Sequence, residues 1–325
     1  MIMIKILSRQ TSVWQHIELE AIAGRSTPCW VDLAYPQPEE IKQVGAALSI
    51  EIPSRAEMEE IEVSSRLYQE EGAFFMTADL VASPDTHRVE SSAITFILTE
   101  TFLVTVRYSQ PRSFDSFSAR LQKPGGNCTS SLEVLIGLLE AIIDRMADIL
   151  ELHSFEIEGT SQKIFAEGGQ DSKPIDLNAT IKDIGIEGNH ISIIRESLMT
   201  LSRMAIFLNQ AVTATPRAGE IRDTLRVIGR DIASLADHSS FMTSKINFML
   251  DATLGMISIQ QNNIIKIFSV AAVVFLPPTL IASIYGMNFQ FMPELSHEFG
   301  YPFAICLMVL SAVLPYLYFK RKRWL

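Results

Sequence analysis

The segment Tyr285-Gly286-Met287-Asn288-Phe289 closes an uncharged run, residues 267–285 (IFSVAAVVFLPPTLIASIY), and holds the residues best suited to meet a cation. Asn288 offers a neutral side-chain carbonyl oxygen that several chains can present around one axis. A small dication such as Mg²⁺ demands octahedral oxygen ligation and gives up its waters reluctantly. A ring of amide oxygens that keeps the hydration shell therefore suits first capture better than a tight carboxylate cage. Gly286 lets the chain turn at that exit. Taken alone, Gly followed closely by Asn is also ordinary turn chemistry.

Upstream, one face at helical spacing reads Asp251, Gly255, Ser258, Asn262, Ile265, Ser269, Ala272, Leu276, Thr279 and Ser283. Carboxylate, amide and hydroxyl positions alternate there with apolar ones, and apolar constrictions between polar stations are how pores gate by dewetting. Singly, Ser258, Thr279 and Ser283 also serve as small helix-packing residues in a membrane. Pro277 and Pro278 deprive the carbonyls of Val273 and Val274 of their helical donors, which is tolerated where neighbours or a water-lined cavity satisfy them again.

These residues need a membrane element to position them, and the charge distribution supplies one. The chain has 325 residues with 27 Lys and Arg against 37 Asp and Glu. An acidic chain of this kind argues against nucleic acid as a partner, because phosphate contacts need clustered cations. Residues 1–250 hold 34 of the acids and 22 of the bases. Beyond them, 267–285 and 301–319 (YPFAICLMVLSAVLPYLYF) each run without a charge, close to the ~20 residues a spanning helix requires. Both read as membrane spans, and nothing in 1–7 (MIMIKIL), which alternates like a strand, reads as a signal segment. The second span ends in Lys320, Arg321, Lys322 and Arg323, while the connecting loop 286–300 has no Lys or Arg. The positive-inside rule then puts the tail and the large N-terminal segment in the cytoplasm and the loop outside.

Within the soluble part, 72–81 and 93–107 are rich in Phe, Ile, Val and Thr, as strands are. Pro38–Leu48 and the Glu-rich 55–71 read as helices, so the first part is a small α/β domain. Lys123 to Thr129 (KPGGNCT) mark a linker. Helical periodicity follows over 131–164 and, after a polar stretch with Gly168, Gly169 and Pro174, over 191–211. Two long antiparallel helices are the simplest account. A third starts near Ile221 and meets no strong stop before Pro277, so Ile221–Tyr285 forms one helix of roughly 100 Å at 1.5 Å per residue. A helix that long cannot bury its apolar stripe within one small domain, which points to an oligomer. Two spans also enclose little by themselves, so a water-filled path demands symmetric assembly. A membrane-anchored protein without a pore satisfies the composition equally. Cys29, Cys128 and Cys306 are far apart and show no paired spacing, so they read as buried or idle thiols.

Tyr285-Gly286-Met287-Asn288 after a proline-containing first span resembles the CorA family of magnesium transport channels. So do the following Met292-Pro293-Glu294-Leu295, the short second span, and the basic tail ending in Trp324-Leu325. The likeness extends upstream to 51–71 (EIPSRAEMEEIEVSSRLYQEE) and Phe75-Met76-Thr77-Ala78. The resemblance implies an α+β cytosolic domain, built as an α/β/α funnel, whose very long helices lead into a two-helix transmembrane domain of a homopentameric channel. It implies domains at 1–125 and 126–250, a stalk and first span at 251–285, an outer loop at 286–300 containing Glu294, a second span at 301–319 and a tail at 320–325. It makes Gly286, Met287 and Asn288 the selectivity filter. Thr279 and Leu276 become a polar ring and a constriction, Asn262 and Asp251 polar rings further inside, and Ser283 a position where some relatives have Gly. Regulatory Mg²⁺ held by acidic residues between neighbouring subunits is also implied, with Asp231 and Asp237 as candidates against their reading as solvated helix-face carboxylates.

The reading is passive, potential-driven influx of hydrated Mg²⁺, with Co²⁺ and Ni²⁺ as further cargo. It includes Mg²⁺ as regulatory ligand, no organic cofactor, and a bacterial inner-membrane location. The nearest rival is a zinc transporter of the same superfamily, for which His297 would be a loop ligand. A membrane-tethered enzyme is the rival from another class. It gains no support from a chain with six histidines and no HExxH, GxSxG or GxxxxGK[ST] motif.

Overall fold

Alternating Val, Ile, Phe and Thr place side chains on both faces of a pleated sheet, and helices cover each face. The computed structural model describes residues 3–8, 14–15, 28–82, 89–122, 130–165, 176–211, 218–288, 292–293 and 298–322. The strands are β1 (Met3–Ser8), β2 (Trp14–Gln15), β3 (Pro28–Ala34), β4 (Leu67–Glu70), β5 (Ala73–Val81), β6 (Ser91–Leu98) and β7 (Leu103–Arg107). They form one mixed sheet in the order β2-β1-β3-β7-β6-β5-β4, with β3 and β7 parallel and the other neighbours antiparallel. The helices are α1 (Pro38–Leu48), α2 (Arg55–Met58), α3 (Val63–Arg66), α4 (Arg112–Leu121), α5 (Ser131–Phe165), α6 (Leu177–Ala211), α7 (Ala218–Tyr285) and α8 (Gly300–Arg321).

One sheet face buries Val31, Leu33, Phe75, Ile97, Val104 and Val106 against Val44 of α1 and Met58 of α2. The opposite face carries Trp30 and Phe96, which meet Phe114 and Phe117 of α4, while Phe74 meets Phe207 of α6 edge-on. The result is the expected α/β/α layering. α5 and α6 both begin or end beside the sheet: Ser131 donates to the Thr99 carbonyl, and Thr200 accepts from the Asp79 amide at 3.1 Å.

The parallel β3–β7 pair has a buried polar lock. Asp32 lies opposite Thr105 in the register. Its carboxylate accepts from Thr105 Oγ1 at 2.8 Å and from Arg107 Nε and Nη2 at 3.0 and 2.9 Å, while Trp30 Nε1 donates to Thr105 Oγ1 at 3.0 Å. Arg107 and Asp32 are each 2% exposed, so neither charge has water to fall back on.

Three sequence expectations change. Residues 55–71 are not one helix: Ser54 and Glu57 form a capping box that starts a single turn, and the chain then turns into edge strand β4, where Tyr68 stacks on Phe75 at 4.6 Å. Residues 93–107 are not one strand but β6 and β7, because Thr99 closes a turn by accepting from the Phe102 amide and donating to its carbonyl. The second long helix starts at Leu177 rather than Ile191, with Asp176 capping the amides of Asn178 and Ala179. The strand expected at 1–7 is β1. The linker at 123–129, the 125/126 boundary, and Gly168, Gly169 and Pro174 lie outside the described residues.

The chain divides into two compact units, Met1–Leu250 and Asp251–Leu325. In the second unit, α8 and the later part of α7 are apolar, and almost none of either apolar stretch is buried. Cys306 is a free, exposed thiol on α8. Asp32→Ala leaves Arg107 uncompensated in the core and is expected to cost about 3–5 kcal/mol, read as a lower denaturation midpoint of the soluble unit.

Candidate functional site: one face of the long helix

α7 runs for 68 residues without a break. In the first unit it packs through one seam: Leu225, Ile228, Ile232, Ser239, Met242, Ile246 and Met249 are buried, at alternating three- and four-residue steps with half-buried Leu235 between. Ile246 lies against Gly188 of α6, where a Cβ would come within 3.6 Å of it. Lys245 pairs with Glu158 of α5. That ion pair is solvent-exposed and adds little stability beside the apolar seam.

In the second unit the same helix again has one covered side, formed by buried Val270 and half-buried Val274, Pro277 and Ile281. At 100° per residue, Ile265, Ser269, Ala272, Leu276, Thr279 and Ser283 lie roughly 150° around the helix from that side. Every one of them is exposed, as are Asp251, Ser258 and Asn262 further back, where residues 258–269 are exposed on every side. Ile265 and Leu276 are 61% and 65% exposed. A monomer leaves this face open, in phase from Asp251 to Ser283.

The hydroxyls on it are oriented locally. Thr279 Oγ1 donates to the Phe275 carbonyl at 2.7 Å, and Ser258 Oγ donates to Leu254 at 3.1 Å. Each hydroxyl proton is thus used inside the helix, which leaves oxygen lone pairs directed outward as acceptors. Such groups can accept from the waters of a hydrated cation without stripping it. Pro277 and Pro278 sit inside the helix without ending it.

α7 ends at Tyr285. The Gly286 amide reaches the Ala282 carbonyl at 2.9 Å and the Met287 amide reaches Ile284 at 3.2 Å. A Cβ on Gly286 would stand 3.1 Å from the Ala282 oxygen, so close approach rather than a left-handed dihedral favours glycine there. Met287 and Asn288 follow, both exposed. Glu294 and His297 of the loop, and Arg323 and Trp324 of the tail, lie outside the described residues. Lys320 and Arg321 occupy the last turn of α8 and Lys322 caps it, where cations complement the helix dipole.

Asp231 and Asp237 are both exposed, and among the described residues neither belongs to a group of three or more metal-ligating side chains. Two charged features escaped the sequence reading. Glu51, Glu57, Glu60 and Glu70 line a pocket with Tyr68. Burial, and then the charges of Glu70, Glu57 and Glu51, raise the Tyr68 hydroxyl above its ordinary range. The second is a buried cluster of His153, Glu187 and His190 between α5 and α6. Its only sequence signal is a His-x-x-Glu step at 153–156 and a Glu-x-x-His step at 187–190.

Comparison with known proteins bears on this geometry. Residues 25–321 match the family model described as "CorA-like Mg2+ transporter protein". The magnesium transport protein CorA of Salmonella typhimurium is 36% identical over 311 residues, covering 95% of this chain and 96% of that one. The complete structure of the CorA magnesium transporter from Methanocaldococcus jannaschii superposes with a TM-score of 0.78 at 19% identity, over 100% of both chains. The ZntB cytoplasmic domain from Vibrio parahaemolyticus gives 0.56 at 13% identity, over 79% of this chain and 98% of that one, a likeness of fold alone.

The two faces of α7 should differ in mutational sensitivity. Met242→Ala in the seam is expected to cost about 2–5 kcal/mol. Ser244→Ala, on an exposed flank, should stay within about 0.5 kcal/mol. Thermal melting of the purified protein reads both.

Proposed function

The chain belongs to the family of CorA-like Mg²⁺ transporter proteins, and from that premise we propose that it carries hydrated Mg²⁺ inward through a channel made by a ring of identical copies, in the family manner a pentamer. It is an inner-membrane protein with both termini on the cytoplasmic side. Its family is one of transporters rather than enzymes. The observation that carries the proposal is the uncovered α7 face, which presents Asp251, Ser258, Asn262, Thr279 and Ser283 in phase and leads into Gly286-Met287-Asn288.

In this mechanism Asn288 oxygens accept from the waters of the incoming ion at the outer mouth. Thr279, Asn262 and Asp251 then hand the hydrated ion along, while Leu276 and Ile265 form the apolar constrictions. Asp251 supplies the one carboxylate of the path, at its inner end. A dication moving inward across about 100 mV gains roughly 4.6 kcal/mol, which removes the need for ATP. Co²⁺ and Ni²⁺, with similar hydrated size, are proposed as further cargo. Closure is proposed as feedback, with cytoplasmic Mg²⁺ bridging acidic groups of neighbouring subunits, Asp231 and Asp237 among the candidates, and favouring the shut state by differential binding. Glu294 and the basic residues Lys320 to Arg323 are assigned to attraction at the mouth and to topology, respectively.

Asn288→Ala is expected to reduce Mg²⁺ uptake into proteoliposomes to the level of empty vesicles, with oligomer size and melting temperature unchanged. Uptake that survives the substitution would remove the amide ring from the mechanism. Replacing Mg²⁺ by Zn²⁺ in the same assay should lower the flux; a higher Zn²⁺ flux would favour the zinc transporter.

A further inference from the structure

The soluble unit holds a second cluster of cation-binding chemistry far along the sequence from the α7 stripe. α5 and α6 run antiparallel, and each contributes an imidazole and a carboxylate three residues apart: His153 and Glu156 on α5, Glu187 and His190 on α6. His153 is fully buried, His190 is 8% exposed, and the Glu187 side chain is 12% exposed. One donor atom from each of His153, Glu187 and His190 lies within 4.8 Å of the other two.

His153 Nδ1 is 2.8 Å from Glu187 Oε2 and 3.4 Å from Glu156 Oε2, and His190 Nδ1 is 3.6 Å from Glu187 Oε1. The two rings are 4.8 Å apart, centroid to centroid. His190 Nδ1 and His153 Nε2 are buried with no hydrogen-bond partner among the described residues. His190 Nδ1 faces the same buried carboxylate as His153 Nδ1 and is costly there unless something else engages it. His153 Nε2, on the other side of its ring, takes no part in that cradle.

We propose that His153, Glu187 and His190 form an intrasubunit binding site for a transition-metal dication of the Zn²⁺, Co²⁺ and Ni²⁺ class, with Glu156 or water completing the coordination. Bonds of about 2.0–2.2 Å in a tetrahedral site set neighbouring donors about 3.4 Å apart. His153 Nδ1 and His190 Nδ1 approach the two Glu187 oxygens at 2.8 and 3.6 Å, either side of that value, and with the three donor atoms within 4.8 Å of one another the set has to contract to close on an ion. Imidazole nitrogens select this metal class over Mg²⁺, which prefers an all-oxygen shell. The bound ion would staple α5, which has left the sheet after Ser131, to α6, which has yet to reach it at Thr200.

The site is independent of transport, so its test does not use flux. Metal-free full-length protein is titrated with Zn²⁺ in tenfold Mg²⁺ excess, and with Co²⁺ as the spectroscopic probe. The wild type is expected to bind one equivalent per chain that the His153→Asn/His190→Asn double variant lacks, with the visible Co²⁺ absorption of nitrogen ligation lost in parallel. Equivalents bound at the other histidines and the cysteines would persist in both proteins. Glu187→Gln keeps the shape of the cluster and is expected to weaken that equivalent by at least about tenfold, since even outer partners of metal ligands cost 10–100-fold. It serves if the double variant does not fold. Superimposable titrations of wild type and variants, or displacement of the equivalent by Mg²⁺, would overturn the proposal and leave the cluster a structural ion pair.

Discussion

α7 buries a single stripe of itself against its own chain, and the rest of the structure depends on how it uses that stripe. Seam residues such as Ile232, Met242 and Ile246 are spent on the soluble helices, and Val270 and Ile281 mark the covered side within the membrane unit. The remaining face therefore has no intramolecular partner. In water an exposed Leu276 or Ile265 would be a liability. In a bilayer, lipid covers apolar residues readily but does not hydrogen-bond the hydroxyls of Thr279 and Ser283. A face that mixes the two kinds is satisfied best by a shared aqueous axis.

The sheet serves this helix indirectly. The Asp32–Thr105–Arg107 lock holds β3 beside β7, the one parallel pair of the sheet, which has no hairpin to set its register. The aromatic layer of Trp30, Phe96, Phe114 and Phe117 seats α4 on the sheet, and Ser131 and Thr200 tie α5 and α6 to it. Those two helices are the surface on which the first part of α7 packs. A chain of buried contacts thus runs from the sheet to the seam of α7.

What was legible in the sequence was whatever depended on local pattern. The uncharged runs, the continuity of α7, the stripe from Asp251 to Ser283 and the Gly286-Met287-Asn288 exit all follow from spacing along one helix. Residues 55–71 were not legible because their Glu-rich composition favours helix, while a capping box at Ser54 and the stacking of Tyr68 on Phe75 decide otherwise. The turn between β6 and β7 has no Gly or Pro to announce it; Thr99 makes it with a side-chain hydroxyl. Asp32 and Arg107 meet only across the fold and have no signal in residue spacing, and the His-Glu steps at 153–156 and 187–190 do not show that His153 and His190 meet.

The central claim is that the uncovered face of α7 turns toward neighbouring copies. Single cysteines placed in a chain whose three native cysteines are replaced by Ser test it most directly, when membranes are treated with a short bis-maleimide. Cysteines at Asn262 and Thr279 should join neighbouring chains into covalent dimers, and cysteines at Val274 and Ile281 should not. Dimers from Val274 and Ile281, with none from Asn262 and Thr279, would contradict the account.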